Sequence, residues 1–241
     1  MPRANRYFLP GHVWHITHRC HKQQFLLKFA KDRRAWMYWL YQARRRYGLC
    51  VLNYLVTSNH VHLLVRDMGR GEITRSMQLI AGRVAQQFNR RKSRKGAYWE
   101  DRYHATAVQA DSHLTRCMVY IDLNMVRAGV VEHPSDWVHT GYNEIQSLPE
   151  RYRCIDVPVL AALLGFTDPD SLRDGLREWV DVTLAKGGLE RQPAWTQSIA
   201  VGRRDYLVAM GSELKVSHPG RMIAGEGDYL FLREEPNAYL P

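Results

Sequence analysis

The seven residues NHVHLLV, from Asn59 to Val65, carry the clearest structural and chemical signal in the sequence. Side chains alternate between the two faces of a β-strand, so His60 and His62 would leave the same face side by side. The apolar residues between and after them would point to the opposite face, toward a core. Two adjacent neutral imidazoles are half of a metal site, although such a pair can also be a buried polar face with satisfied hydrogen bonds.

The flanking residues predict the neighbouring strands and helices. The run NYLVTS, from Asn53 to Ser58, is rich in β-formers and ends in turn residues, which predicts a hairpin whose second strand begins with the histidines. The predicted elements are strands at about 11–20, 50–57, 60–66 and 103–110, helices at 31–47 and 73–91, and a helix from Asp111 or Ser112 to about Arg127, ended by Gly129.

The element order β-α-β-β-α-β-α predicts an α+β fold of the ferredoxin-like, split βαβ type with a central antiparallel sheet. We expect the histidine strand near the middle of this sheet and the helices on one face. After about Pro149 the pattern becomes helical, at about 157–164, 171–184 and 203–213. We therefore expect two domains: residues 1–148, and a mostly helical extension over 149–241 with an acidic, aromatic tail from Gly225.

Charge is distributed unevenly along the chain. Residues 1–150 contain 23 basic and 11 acidic residues, a net charge of +12, whereas residues 151–241 contain 11 and 13, a net charge of −2. Such an excess in the part that carries the histidine pair indicates a polyanionic partner. The alternative is a basic surface that is only solvated.

Composition argues against a membrane or secreted protein. No apolar run approaches the 18 residues of a membrane span, and the N-terminal MPRANRYFLPGH has no apolar signal core. The four cysteines fall in no CxxC or metal-ligand spacing and are expected to be reduced, packed thiols. We therefore expect a cytoplasmic, nucleoid-associated protein without a membrane partner.

Tyr120 and Asn124, in the stretch VYIDLNMVRAG, are candidates to complete the histidine site. Residues four apart lie on the same face of a helix. An amide oxygen can bind a hard divalent ion, and a tyrosine hydroxyl beside such an ion can act as a nucleophile. Ordinary helix packing is the alternative.

A second set of histidines, His12, His15, His18 and His21, recurs every third residue. A strand would scatter these side chains over both faces, so we interpret them as structural or DNA-facing.

A basic run follows the second predicted helix and leads into aromatic residues. Single-stranded DNA is bound by positive grooves with stacking surfaces, but the run could also be a solvated loop and the aromatics could be core. The basic run consists of Arg90, Arg91, Lys92, Arg94 and Lys95. Together with Trp99, Arg102 and Arg127, these are the residues expected to contact DNA.

Four motifs occur in the order of a known family: NHVHLLV, then FNRR, YWEDRY and YIDLNMVRAG. Together with PGHVWHITHR near the N-terminus, they resemble the single-tyrosine HUH transposases, and among these the REP-associated tyrosine transposases. The resemblance covers residues 1 to about 145. This chain has Met125 where the family usually has proline after the asparagine; little catalytic effect is expected.

The resemblance implies an activity and a set of roles. His60, His62 and Asn124 would hold Mg²⁺ or Mn²⁺, and His60, His62 and Tyr120 would be the catalytic residues. Tyr120 would cleave and rejoin single-stranded DNA at REP-like hairpins through a 5′-phosphotyrosine intermediate.

Two other functions remain open at this stage. One is a hairpin DNA-binding protein that does not cut, and the other is a metal-dependent nuclease that uses water, in which a Tyr120→Phe variant would stay active. The sequence leaves the oligomeric state open, with a monomer somewhat favoured.

Overall fold

The computed structural model describes residues 8–214, 221–227 and 229–234, and this part of the chain contains one sheet and nine α-helices. The strands are β1 (Val13–Arg19), β2 (Cys50–Val56), β3 (His60–Arg66), β4 (His104–Val108), β5 (Ala200–Val201), β6 (Arg221–Glu226) and β7 (Tyr229–Glu234). The helices are α1 (Ala30–Tyr47), α2 (Glu72–Arg91), α3 (Ser112–Asp122), α4 (Asn124–Arg127), α5 (Gly141–Gln146), α6 (Val157–Leu164), α7 (Pro169–Ala185), α8 (Ala194–Gln197) and α9 (Arg204–Glu213).

The first four strands form the predicted split βαβ arrangement. Their order in the sheet is β2-β3-β1-β4, and each neighbouring pair is antiparallel. Helix α1 connects β1 to β2, and helix α2 connects β3 to β4. The α+β, ferredoxin-like prediction is confirmed, and the histidine strand β3 is an interior strand between β1 and β2.

The pairing of β1 with β3 collects polar side chains on one face of the sheet. Thr17 pairs with His62, and Arg19 pairs with His60. Directly paired residues of antiparallel strands share a face, and His15 shares it as well because it is two residues before Thr17. The histidine face therefore carries three histidine or arginine side chains around His62.

Helices cover both faces of the sheet, whereas one covered face was expected. Helices α1 and α2 pack against the apolar face and bury residues such as Trp36, whose ring centroid lies 6.5 Å from that of Tyr54 on β2. Helix α3 lies on the histidine face, where Asn53 of β2 donates a hydrogen bond to the Asp122 carboxylate at 2.9 Å. A polar face that is removed from water needs hydrogen-bonding partners, and the end of α3 supplies them.

The predicted helix from Asp111 to about Arg127 is interrupted. Asp111 caps α3 by accepting a hydrogen bond from the His113 amide, as predicted, but α3 ends at Asp122 and α4 begins at Asn124. The intervening Leu123 has φ −80° and ψ 3°, which breaks the regular helix without a proline. Tyr120 and Asn124 consequently lie on consecutive helical segments.

The C-terminal region contains the predicted helices and also three strands that were not predicted. Strand β5 is parallel to β4, and β7 and β6 follow it in the same sheet. Two-residue β5 is too short to show a sequence period, and β7 lies within the stretch from Gly225 that is predicted as an acidic, aromatic tail. Position 228 and residues 235–241 of that tail lie outside the described residues. The division into domains at residue 148 stays a prediction.

Two compositional expectations can be compared with the structure. Within the described ranges, no helix combines the length and the apolar character needed to cross a bilayer. The four cysteines are unpaired and buried. Burial raises the pKa of Cys20 to about 12 and that of Cys50 to about 11, which makes both thiols poor nucleophiles at neutral pH.

Candidate active site

The two histidines of β3 face each other through the nitrogens that would bind a metal. His60 Nε2 lies 3.1 Å from His62 Nε2. Burial lowers the pKa of His60 to about 4, with Arg19 and Arg191 contributing, and burial lowers the pKa of His62 well below its ordinary value. Both rings are therefore neutral at pH 7, which is the form that binds metal ions.

The opposite ring nitrogens of this pair contact side chains behind the site. His60 Nδ1 lies 2.7 Å from the Asn59 amide oxygen and 3.0 Å from the Thr57 hydroxyl. His62 Nδ1 lies 2.9 Å from Nε2 of His15. Such contacts orient both rings and leave the facing Nε2 atoms toward the cavity.

Asn124 and Tyr120 reach the histidines from the end of α3 and the start of α4. The Asn124 side-chain nitrogen lies 3.2 Å from His62 Nε2, and the ring centroids of Tyr120 and His62 are 6.2 Å apart. In the described part of the chain, no carboxylate, thiol or third imidazole completes a ligand set with the two histidines. Asn124 is therefore the side chain best placed to be a third ligand.

The Tyr120 side chain is largely buried, with 7% of its surface exposed. The Arg127 guanidinium carbon lies 4.3 Å from its ring centroid, and the Trp195 ring lies 6.3 Å away. Burial raises the pKa of Tyr120, while the charges of Arg127 and Arg191 act in the opposite direction. The phenol is consequently protonated at neutral pH.

These side chains line one pocket of about 490 Å³, which we call the active-site pocket. Three arginines line it as well, Arg19, Arg127 and Arg191, and none of them forms a salt bridge with a described carboxylate. A pocket with several cations, two imidazoles and no acidic wall is suited to a phosphate group. The remaining lining residues are Thr17, Gln23, Asn59, Ala128 and Thr196.

Most of the other residues predicted to contact DNA lie outside this pocket. Arg127 lines it, but the basic run and Arg102 do not. Arg91 forms a salt bridge with Asp32, and Arg94 donates to the Asn89 side chain at 3.2 Å. Arg90, Lys92, Lys95 and Arg102 are exposed. Their contact with DNA stays a prediction.

Trp99 is partly buried, and its contacts within the protein limit stacking with a base. Its ring lies parallel to His18 with centroids 4.0 Å apart, and its indole nitrogen donates to the Ala81 carbonyl at 3.0 Å. The structural interpretation of His18 therefore fits its position. His15 has a larger role than expected, because it contacts a candidate metal ligand directly.

Sequence reasoning missed four contributors to the site: Arg19, His15, Arg191 and Trp195. For the first two a signal existed, since strand alternation in HVWHITHR places them on one face, and the pairing of β1 with β3 makes this the histidine face. Arg191 and Trp195 are more than 120 residues from the histidines in sequence and belong to no motif. No local pattern could have assigned them.

Comparison with known proteins bears directly on this arrangement. Residues 11–124 match the profile of a family described as IS200-like transposases. This part of the chain is similar to the IS200-like transposases. The match contains β1 to β4, both histidines, Tyr120 and Asn124. The resemblance inferred from the motifs is therefore confirmed, and a transposase role follows at the level of the family.

Solved structures of transposases show similarity to the fold. One, described as the REP-associated tyrosine transposase bound to a REP hairpin, has a TM-score of 0.52 at 19% identity, and the match covers 61% of this chain and 87% of that chain. Another, a candidate transposase from Deinococcus radiodurans R1, has a TM-score of 0.35 at 15% identity, covering 54% and 92% respectively. A search among curated proteins found no significant match.

Proposed function

We propose that this transposase cleaves and rejoins single-stranded DNA beside REP-like hairpins through a covalent link to Tyr120. One observation carries the proposal: His60, His62, Asn124 and Tyr120 line one pocket, with the two Nε2 atoms 3.1 Å apart. Side chains from β3 and from the end of α3 meet there although about 60 residues separate them in sequence. Packing alone does not require this combination of chemical groups.

The donor atoms fit a divalent metal ion. Two neutral imidazoles that each bond through Nδ1 present unprotonated Nε2 atoms to each other at 3.1 Å, and a cation between them would bind both lone pairs. The Asn124 side chain presents its amide nitrogen to His62 Nε2 at 3.2 Å, and reversal of this amide would present its oxygen as the third protein ligand. When bound, Mg²⁺ or Mn²⁺ would polarise the scissile phosphate and offset its developing negative charge.

The arginines of the active-site pocket would bind the same phosphate. Arg127 is partly buried, lacks a carboxylate partner among the described residues, and has an Nε atom without a hydrogen-bond partner. A partly buried guanidinium without a carboxylate partner is well suited to bind an anion that enters the site. Arg19 and Arg191 are exposed at the pocket and would attract the DNA backbone.

The cleavage step forms one bond and breaks one. The Tyr120 hydroxyl oxygen attacks phosphorus, the bond from phosphorus to the 3′ oxygen breaks, and the released 3′ oxygen takes up a proton. The phenolic proton passes to water, because no carboxylate lines the pocket to accept it and the two neutral imidazoles would bind the metal. Attack of another 3′ hydroxyl on the phosphotyrosine reverses the step and rejoins DNA without an external energy source.

Hairpin DNA is the proposed substrate. The similar transposase structure is described as bound to a REP hairpin, and the present chain shares its fold. The basic run would hold the hairpin through its phosphates, a contact that supplies affinity and register. The exposed cations that would make this contact are Arg90, Lys92 and Lys95 of the basic run, together with Arg102.

A covalent trapping experiment tests the proposed function. Labelled hairpins with single-stranded flanks are incubated with Mn²⁺, and wild type is compared with Tyr120→Phe on a denaturing gel. The expected result is a protein–DNA adduct in wild type that is absent from Tyr120→Phe, which should still bind DNA. Tyr38→Phe, on the exposed side of α1, is the matched control and should form the adduct.

The other outcomes identify the competing functions. Cleavage without an adduct, retained by Tyr120→Phe, would show a nuclease that uses water. Binding without cleavage of any hairpin in a library would show a DNA-binding protein. Chelation of the metal by EDTA should abolish the adduct, and added Mn²⁺ should restore it.

A further inference from the structure

We infer that the C-terminal segment around Trp195 belongs to the metal site, because its backbone carbonyl acts through His15 to select the metal-binding tautomer of His62. His15 is a positioning residue in this relay and would not touch metal or DNA. The inference rests on the proposed function, in which His60 and His62 bind a divalent ion.

The first link joins the extension to β1. His15 Nδ1 lies 2.8 Å from the backbone carbonyl oxygen of Trp195, and His15 is completely buried. A carbonyl oxygen can only accept a hydrogen bond, so the proton must be on His15 Nδ1. The neutral His15 ring consequently has a lone pair on Nε2.

The second link joins His15 to the candidate metal ligand. His15 Nε2 lies 2.9 Å from His62 Nδ1, and the two rings are tilted by only 15° with centroids 5.1 Å apart. These values describe a hydrogen bond in the common plane of the rings rather than face-to-face stacking. Since His15 Nε2 can only accept, His62 Nδ1 must donate, and its proton cannot be on Nε2.

The third link is the consequence for metal binding. A neutral histidine can carry its proton on either nitrogen, and only the form with the proton on Nδ1 leaves Nε2 free to bind a metal. The relay holds His62 in this form and directs Nε2 toward His60. Contacts behind a metal ligand commonly raise its affinity by fixing orientation and tautomer.

The Trp195 carbonyl is held in a defined position. Trp195 is fully buried in α8, and its indole nitrogen donates to the Gln192 side chain at 2.6 Å. The backbone carbonyl of Ser198, just after α8, accepts from the Thr106 hydroxyl of β4 at 2.8 Å. The Trp195 carbonyl of α8 is thus a fixed hydrogen-bond acceptor for His15 of β1.

His104 offers a matched control. This histidine lies on β4 and its Nε2 is 2.9 Å from the Ser198 carbonyl, so it contacts the same C-terminal segment as His15 does. His104 Nε2 also lies 3.1 Å from the Thr106 hydroxyl. Neither the Ser198 contact nor the Thr106 contact of His104 involves His60 or His62. Loss of His104 should therefore loosen the segment without changing the tautomer of His62.

The test measures tautomers in metal-free protein and Mn²⁺ affinity in parallel. Long-range ¹H–¹⁵N spectra of ¹⁵N-labelled wild type should show His62 protonated at Nδ1 alone. His15→Phe should shift His62 toward protonation at Nε2 and weaken Mn²⁺ binding by about 10- to 100-fold in calorimetric titration. His104→Phe should change neither quantity. His15→Gln, whose amide oxygen can accept from His62, should recover part of the affinity.

Each outcome bears on the relay. The relay is wrong if His15→Phe, shown to be folded by circular dichroism, keeps the wild-type tautomer of His62 and the wild-type Mn²⁺ affinity. It is also wrong if His104→Phe weakens Mn²⁺ binding as much as His15→Phe does. Failure of the proposed function has a different signature: wild type would bind no more Mn²⁺ than His60→Ala. The tautomer of His62 in metal-free protein would still support or overturn the relay.

Discussion

The guanidinium of Arg127 covers the ring of Tyr120, with its central carbon 4.3 Å from the ring centroid, and its Nη2 atom donates to the Tyr120 backbone carbonyl at 3.2 Å. Both residues line the active-site pocket. The same side chain therefore holds the end of α3, stabilises the aromatic ring and presents a positive charge where a phosphate would enter.

Arg127 should consequently affect the chemical step more than DNA binding. We expect Arg127→Gln to slow adduct formation by about 10²- to 10³-fold, the usual effect of removing one donor to developing oxyanion charge. Arg127→Lys retains the charge but not the planar fork, and should be intermediate. Single-turnover rates at saturating DNA measure this effect.

The control for Arg127 is an exposed arginine far from the pocket. Arg177 on α7 is half-exposed and pairs with Asp174, so Arg177→Gln should retain the wild-type rate. If Arg127→Gln weakened DNA binding but left the rate at saturation unchanged, the guanidinium would serve binding alone.

The rate of adduct formation should rise with pH. Burial raises the pKa of Tyr120, so the phenol is protonated at neutral pH and only its small ionised fraction is an effective nucleophile. That fraction grows about tenfold per pH unit below the pKa, which predicts a slope near +1 for log rate between about pH 6 and 9. Single-turnover rates with Mg²⁺ measure the slope. A flat profile would indicate a group that removes the proton within the site.

The fold and half of the site were predictable because their signals are local. Strand alternation in NHVHLLV places His60 and His62 together, and β3 begins and ends within the predicted range. The helix break at Leu123 carries no such signal, since Leu favours helices and the proline usual in the family is replaced by Met125. Tyr120 and Asn124 still meet the histidines because α4 follows α3 after one residue.

The remaining site residues depend on long-range contacts. Trp195 reaches His15 across 180 positions through a backbone carbonyl, an atom that every residue has. Side-chain chemistry in the sequence therefore could not identify it. Similarly, the two residues of β5 form a strand only because they pair with β4, and this long-range pairing has no signal in the local sequence.

Arg91 is expected to stabilise the fold rather than bind DNA. It forms a salt bridge with Asp32, whose side chain is only 7% exposed, and its guanidinium also lies 5.2 Å from the Phe88 ring centroid. Removing one partner leaves a nearly buried carboxylate unpaired, so Arg91→Gln should lower the free energy of unfolding by about 1–3 kcal/mol. Urea denaturation measures this change, and an unchanged midpoint would contradict it.

Arg90, the neighbour of Arg91, provides the opposite expectation. Its side chain is exposed at the end of α2, and no salt bridge between described residues involves it. If it contacts a phosphate of the hairpin, Arg90→Gln should leave stability unchanged but reduce the slope of log affinity against log salt by about 1. Fluorescence anisotropy with a labelled hairpin at several salt concentrations measures this slope. Equal slopes for wild type and Arg90→Gln would place the hairpin elsewhere on the surface, whereas a slope reduced only in Arg90→Gln, and not in Arg91→Gln, would separate the DNA-binding arginine from the structural one.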